Sequence, residues 1–179
     1  MSTSFDRTSE PAAPPPVLAP LLPRQARVLL LGVDLAPLAG RLTTSSAHCL
    51  LLDIDADALR GLHLNAHTQP VVGDPGRLAI GGRTVDLIVA GDQARRLPRA
   101  TLAGAIAGWS GHLHPGGHLV SAIVRAPTTA SVPADRLGEA AYDRLCEAAD
   151  LAYLARYSDL DGGPFHDGAP FAVSVHRKR

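Results

Sequence analysis

The chain has 179 residues, enough for one substantial core. Its 17 basic and 17 acidic residues cancel, so the overall charge gives no reason to expect nucleic acid or an anionic membrane as the main partner. Aromatic residues make up 4% of the chain, which leaves the core to aliphatic side chains and supplies few rings for a cage around a flat ligand. The two cysteines, Cys49 and Cys146, are too few and too isolated for a disulfide framework and read as reduced core thiols. No run is long and apolar enough for a transmembrane helix. Met1–Pro16 lacks the charged-then-apolar pattern of a signal peptide, so the expected compartment is the cytoplasm.

Residues 1–22 are rich in Ser, Thr, Ala and Pro, with Pro14-Pro15-Pro16 at the centre. Such a stretch buries too little apolar surface to fold alone. It is expected to be a flexible arm, with one turn around Val17–Leu22 that docks on a domain spanning residues 23–179. From Arg27 onward, short apolar runs alternate with helical segments. Strand one is expected at Arg27–Val33, followed by a helix after Pro37 at Leu38–Thr43. Strand two is His48–Asp53. Asp55 is placed to cap a helix at Ala56–Ala66, because its side chain can accept from the free amides of the first turn. Strand three is expected at Pro70–Gly73, and Gly81-Gly82 turns the chain into strand four at Val85–Ala90. A helix at Pro98–Gly108 leads through Pro115-Gly116-Gly117 to strand five at His118–Val124. Pro133 suits a first helical turn and opens a long helix to Ala149. Strand six is Ala152–Ser158, the loop Asp161-Gly162-Gly163-Pro164 follows, and strand seven is Pro170–His176. The closing His176-Arg177-Lys178-Arg179 reads as a solvated tail.

Strands separated by helices call for a parallel sheet with helices on both faces. Strands six and seven have no helix between them and should pair as an antiparallel hairpin. The expected fold is therefore α/β and Rossmann-like: a mostly parallel seven-stranded sheet with a terminal antiparallel hairpin.

Four landmarks then occur in order. They are Val28-Leu29-Leu30-Leu31-Gly32, Leu52-Asp53-Ile54-Asp55-Ala56-Asp57-Ala58-Leu59, Val72-Gly73-Asp74 with Val85-Asp86-Leu87-Ile88-Val89, and Leu113-His114-Pro115-Gly116-Gly117-His118. Together they resemble the motifs of the class I S-adenosylmethionine-dependent methyltransferases, over roughly residues 23–179. The resemblance implies S-adenosylmethionine as cofactor. It makes Gly32 the surviving glycine of the first-strand loop, Asp53 the acid on the ribose hydroxyls and Asp74 the acceptor from the adenine amino group. The residues themselves allow a second role for each acid: Asp53 as a helix-leading acid beside Asp55, and Asp74 as a turn former before Pro75-Gly76.

The first motif is degenerate. Leu30 stands where the family carries an acid for the methionine ammonium, and Asp34 and Ala36 stand at the second and third glycine positions. Glycine there permits positive φ and close approach of backbone to ligand. Asp34 either replaces the missing acid and pairs with the ammonium, or meets the methionine carboxylate.

Ligands of open parallel sheets bind beyond the carboxyl ends of the strands. Asp34, Asp53, Asp74, Asp92, Arg125, Asp161, His166 and Asp167 are expected on that edge. Asp92 and His166 are the candidate general bases for an oxygen or carbon nucleophile, with a solvated loop residue as the alternative for each. His112 and His114 fall on the opposite edge. The Gly111-His112-Leu113-His114 run, and His63 with His67 on one predicted helix, invite a metal. No Cys or carboxylate completes a familiar ligand set, so they read as surface imidazoles.

After strand four, Ala90-Gly91-Asp92-Gln93 is unlike the Asn-Pro-Pro-aromatic run of amino-group methylases acting on bases or glutamine. The leading expectation is a methyltransferase of a small molecule, with an open pocket that a protein partner or second copy covers. The alternative is a methyltransferase-like protein that has lost its cofactor and serves as a partner or scaffold, or hosts a different reaction. A dinucleotide oxidoreductase ranks third, because Gly32-Val33-Asp34-Leu35-Ala36-Pro37 does not fit Gly-x-Gly-x-x-Gly.

Overall fold

The computed structural model describes residues 13–44, 47–82, 84–91, 93–124, 138–166 and 171–179. Its strands are β1 (Arg27–Leu31), β2 (His48–Asp53), β3 (Thr68–Val72), β4 (Val85–Gly91), β5 (Leu113–Val124), β6 (Leu151–Tyr157) and β7 (Phe171–Lys178). They form one sheet in the order β3-β2-β1-β4-β5-β7-β6. The pairs among β1 to β5 are parallel. β7 runs antiparallel between β5 and β6. The expected sheet, terminal hairpin included, is the one observed.

β1 shows why such a sequence makes a central strand. Val28, Leu29, Leu30 and Leu31 are all fully buried. Successive side chains point to opposite faces, so Val28 and Leu30 enter one core while Leu29 and Leu31 enter the other. A strand covered on both faces needs no polar alternation. The first core is closed by α1 (Ala36–Thr43) and α2 (Ala56–Arg60), through Leu38, Leu42 and Leu59. The second is closed by α4 (Arg99–His112) and α5 (Glu139–Ala148), through Leu102, Ile106, Trp109, Tyr142 and Cys146. A short α3 (Gln93–Arg96) precedes α4. Burial pushes the thiols of Cys49 and Cys146 up to about 12, which keeps both protonated and inert.

The turn expected near Val17–Leu22 is a 3-10 turn at Ala19–Leu21. Val17 and Leu18 are buried, and Val17 N donates to Leu160 O at 3.2 Å. Arg41 Nε donates to Ala13 O at 3.0 Å, tying the same segment to α1. Residues 1–12 of the expected arm, and Pro133, lie outside the described residues; the helix expected from Pro133 to Ala149 begins at Glu139, because Gly138 before it is extended, and ends at Ala148.

Several boundaries differ from expectation. β1 stops at Leu31 because Val33–Leu35 closes a 3-10 turn. Asp55 does cap α2, accepting from Asp57 N and Ala58 N at 3.0 and 2.9 Å. That helix ends at Arg60 rather than Ala66. Beyond it, Asn65 Oδ1 accepts from His67 N and Thr68 Oγ1, both at 3.0 Å, and this local turn competes with helix and starts β3 at Thr68. His63 and His67 therefore do not share a helix. β5 begins at Leu113, not His118. Its register on β4 jumps from Val85↔Leu113 to Leu87↔His118, so Pro115-Gly116-Gly117 is a bulge within the strand rather than a turn before it.

The C-terminal segment is not a solvated tail. β7 runs to Lys178, and His176 is 0% exposed. β7 lies between two strands, so both its edges are paired. His176 Nε2 lies 3.2 Å from Asp143 Oδ1, and Asp143 is also held by Arg156 Nη2 at 2.7 and 2.8 Å. Tyr142 on α5 and Tyr153 on β6 meet the imidazole edge-on at 5.9 and 5.8 Å between ring centroids. Among the described residues His176 Nδ1 has no hydrogen-bond partner. Burial holds this imidazole below its ordinary pKa, with Asp143 opposing and Arg156 adding to the shift. The unfolded chain takes up a proton near pH ~6.5, where the folded chain still refuses it. The resulting stability is complete above that pH and is lost as pH falls through the lower, folded value. Thermal melts should be flat from neutral pH down to about 6.5 and then decline. His176→Phe should flatten the decline between about pH 6.5 and 5, above the range where ordinary carboxylates titrate. An unchanged slope in that variant would remove His176 from the account.

Candidate functional site

The strand order reverses between β1 and β4, and the crevice beyond their carboxyl ends is where ligands bind in such sheets. Gly32 leaves β1 there with φ 117° and ψ 139°, a conformation that glycine alone adopts readily. A Cβ placed on Gly32 would overlap Asp34 Oδ1 and lie 2.9 Å from Gln93 Nε2. The exposed Asp34 thus folds its carboxylate back over the one remaining loop glycine, beside the buried carboxamide of Gln93. Gly91 ends β4 with φ 47°, and a Cβ there would lie 3.2 Å from the methyls of Leu35.

Asp53 closes β2 and is 6% exposed. Its Oδ2 accepts from Val33 N and its Oδ1 from Asp55 N, both at 2.9 Å. The carboxylate therefore ties the loop after β1 to the loop after β2. An ionised carboxylate has about four lone-pair positions, and these two bonds leave room for two more. Ile54 follows Asp53 and is 69% exposed, and Val72, the cross-strand partner of Asp53 in register, is 63% exposed. Two large apolar side chains left in solvent beside a carboxylate make a surface for a flat ligand bearing hydroxyl groups.

Asp74 is exposed just beyond β3, and its Oδ1 accepts from Gly76 N at 2.7 Å, forming the turn anticipated for it. Between them, Pro75 O accepts from the buried Trp109 Nε1 at 2.7 Å, which fastens this turn to α4. The β6–β7 loop reaches the same edge. Asp159 Oδ1 accepts from Gly163 N at 2.9 Å, and that bond holds the Asp159 carboxyl below its usual range. Asp161 lies 3.8 Å from Arg41 Nη2. His166 is exposed on this loop. Asp92, Arg125 and Asp167 lie outside the described residues.

The structure thus brings Gly32, Asp34 and Asp53 into one cluster and sets Asp74 on the next loop. His114 is on the opposite edge, with Nε2 2.8 Å from Asp86 Oδ1. Among the described residues, no three His, Cys, Asp or Glu side chains are grouped to hold a metal ion. Gln93, Ile54 and Val72 were not singled out by the sequence. The two apolar residues carry a faint signal, since each stands at a strand end next to a polar landmark.

No protein-family model matches the chain, and no curated protein matches it by sequence. Solved structures do match it. A TehB-like S-adenosylmethionine-dependent methyltransferase from Corynebacterium glutamicum superposes with a TM-score of 0.75 at 22% identity, over 91% of this chain and 85% of that one. The CcbJ methyltransferase from Streptomyces caelestis gives 0.78 at 17% identity, over 91% and 92%. The glycopeptide N-methyltransferase MtfA, crystallised with S-adenosylmethionine, gives 0.70 at 15% identity, over 88% and 89%. The chain has the class I methyltransferase fold.

Proposed function

We propose that this protein is an S-adenosylmethionine-dependent methyltransferase acting on an oxygen or carbon nucleophile of a small molecule. The observation that carries the proposal is Asp53: a carboxylate at the end of β2, fixed by two backbone amides, with acceptor capacity left over and exposed Ile54 and Val72 beside it. A ribose offers two adjacent hydroxyl donors to such an acid, and the two apolar side chains offer a face to the adenine. Asp74 would accept from the adenine amino group. Gly32 gives the backbone approach for the amino-acid end, and Asp34 takes the ammonium that Leu30 cannot. The adenosine half fits the residues present, and the methionine end depends on the Asp34 carboxylate over Gly32.

The cofactor, when bound, supplies an electrophilic methyl group. The chain's own contribution is to hold the substrate nucleophile in line with that methyl, which is catalysis mostly by positioning. His166 and Asp92 are proposed as the groups that take the nucleophile's proton. A protein partner or a second copy is proposed as the cover over the site.

The folded-back Asp34 also favours a second reading, in which the cofactor no longer binds and the fold serves as a partner or scaffold or hosts another reaction. Calorimetry with S-adenosylmethionine and S-adenosylhomocysteine separates the two. Binding is expected in the micromolar range, and no heat at millimolar ligand would leave the second reading standing. Restoring glycine at Asp34 and Ala36 then assigns the loop. If Asp34 holds the ammonium, affinity should fall about tenfold on losing one charged hydrogen bond. A gain in affinity would show the carboxylate to be an obstacle.

A further inference from the structure

The β3–β4 connection contains no helix among its described residues, and its Leu78 and Ile80 pack into the second core with Leu29, Leu31 and Leu52. Toward the amino ends of the strands the cover stops. A cavity of about 430 Å³ opens there, on the edge opposite the carboxyl-end crevice. Its volume lies within the ~300–1,000 Å³ typical of small-molecule sites.

The lining divides sharply by chemistry. Leu50 and Ala66 supply apolar surface, the buried Val85 forms the floor beneath them, and the rim carries Arg27, His48, His67, Gln69 and Thr84. Arg27 and His48 are paired residues of β1 and β2. The rings of His48 and His67 meet edge-to-face with centroids 5.5 Å apart. Among the described residues no carboxylate lines the cavity, although the chain as a whole is neutral. Among the described residues, no ion pair engages the Arg27 guanidinium, and no hydrogen bond engages the side chains of Gln69 or Thr84. The nearest acid of the edge, Asp86, is already committed: Oδ2 accepts from Arg27 N at 2.7 Å, and Oδ1 lies 2.8 Å from His114 Nε2.

We propose that this cavity binds a small organic anion with an apolar body, of the class of medium-chain carboxylates. The carboxylate would be held by the forked guanidinium of Arg27, with the imidazoles and Gln69 as further donors. The apolar tail would lie on Leu50 and Ala66. The site does not depend on the proposed methyltransferase activity, since it shares no residue with the carboxyl-end cluster.

Octanoate is the probe, titrated into isotope-labelled protein, with acetate and octan-1-ol as controls lacking the tail and the charge. Saturable amide shifts are expected at Arg27, His48, Gln69 and Val85, with octanoate about tenfold tighter than either control. Arg27→Ala should weaken octanoate about tenfold, the loss of one charge-assisted contact. The side chain is exposed and its backbone N–H makes the structural bond, so the fold should survive the change. Arg27→Gln, which keeps length and polarity but removes charge, should show the same loss. Shifts absent from the cavity, equal affinity for octanol and octanoate, or unchanged affinity in both Arg27 variants would each overturn the proposal.

Discussion

Asp53→Ala is expected to damage both the fold and the affinity for S-adenosylhomocysteine, and the two losses can be read separately. In the fold, Val33 N and Asp55 N each lose an ionised acceptor in a nearly buried position. Leaving a buried donor unsatisfied costs about 1–3 kcal/mol. Two such donors, partly rescued by water, put the destabilisation at about 2–4 kcal/mol by urea denaturation. For the ligand, two charge-assisted hydrogen bonds from the ribose disappear, so calorimetric affinity should fall about a hundredfold. Asp53→Asn separates the roles. It retains one acceptor oxygen for the loops but turns an N–H₂ group toward the other donor. It should recover part of the stability and little of the affinity. Full stability loss with unchanged affinity would leave Asp53 as a loop clamp and remove it from the ribose.

Trp109→Ala should be the most destabilising single change in the second core. The side chain is fully buried among Leu102, Ile106 and Leu113. Truncating a buried Trp costs about 3–5 kcal/mol. The indole N–H also donates to Pro75 O, the carbonyl inside the Asp74 turn. Trp109→Phe retains most of the apolar surface and should cost about 1–2 kcal/mol through that lost bond. Its particular signature is local: amide exchange at Gly76, bonded to Asp74 Oδ1, should quicken while exchange in β1 does not. Equal protection of Gly76 in wild type and Trp109→Phe would show that α4 does not brace the turn.

What the sequence disclosed, and what it did not, follows the range of the forces involved. β1 was legible because an unbroken aliphatic run is itself the mark of a strand covered on both faces. The Asp55 cap was legible because side chain and amides are two and three residues apart. Asp53 was legible as the end of an apolar run, although its grip on Val33, twenty residues earlier, was not. The burial of His176 was hidden because its cause is the insertion of β7 between β5 and β6. A polar residue beside Arg177 otherwise looks solvated. The β5 bulge was hidden for a related reason. Pro115-Gly116-Gly117 is turn chemistry, and only pairing of Leu113 with Val85 across the sheet places it inside a strand. At the site, the fold-back of Asp34 onto Gly32 depends on the 3-10 turn at Val33–Leu35, and Gln93 arrives from after β4. Neither follows from motif spacing.

The position of β7 has a kinetic consequence. β6 sits at the sheet's margin, and β7 is its one strand partner among the described residues. During synthesis it emerges before the strand that will hold it, and β5 likewise waits for a neighbour on that side. The right-hand third of the sheet therefore cannot assemble as the chain grows. It closes only when the segment from Phe171 to Lys178 pairs with β6 on one side and with β5 on the other. Pairings of this kind are slow to form because loop closure must precede any gain in contacts. Until then the flank of β5 is an open template for the β6 or β7 of another molecule. Chains released before Phe171–Lys178 is complete should aggregate through that flank while β1 to β4 are already native.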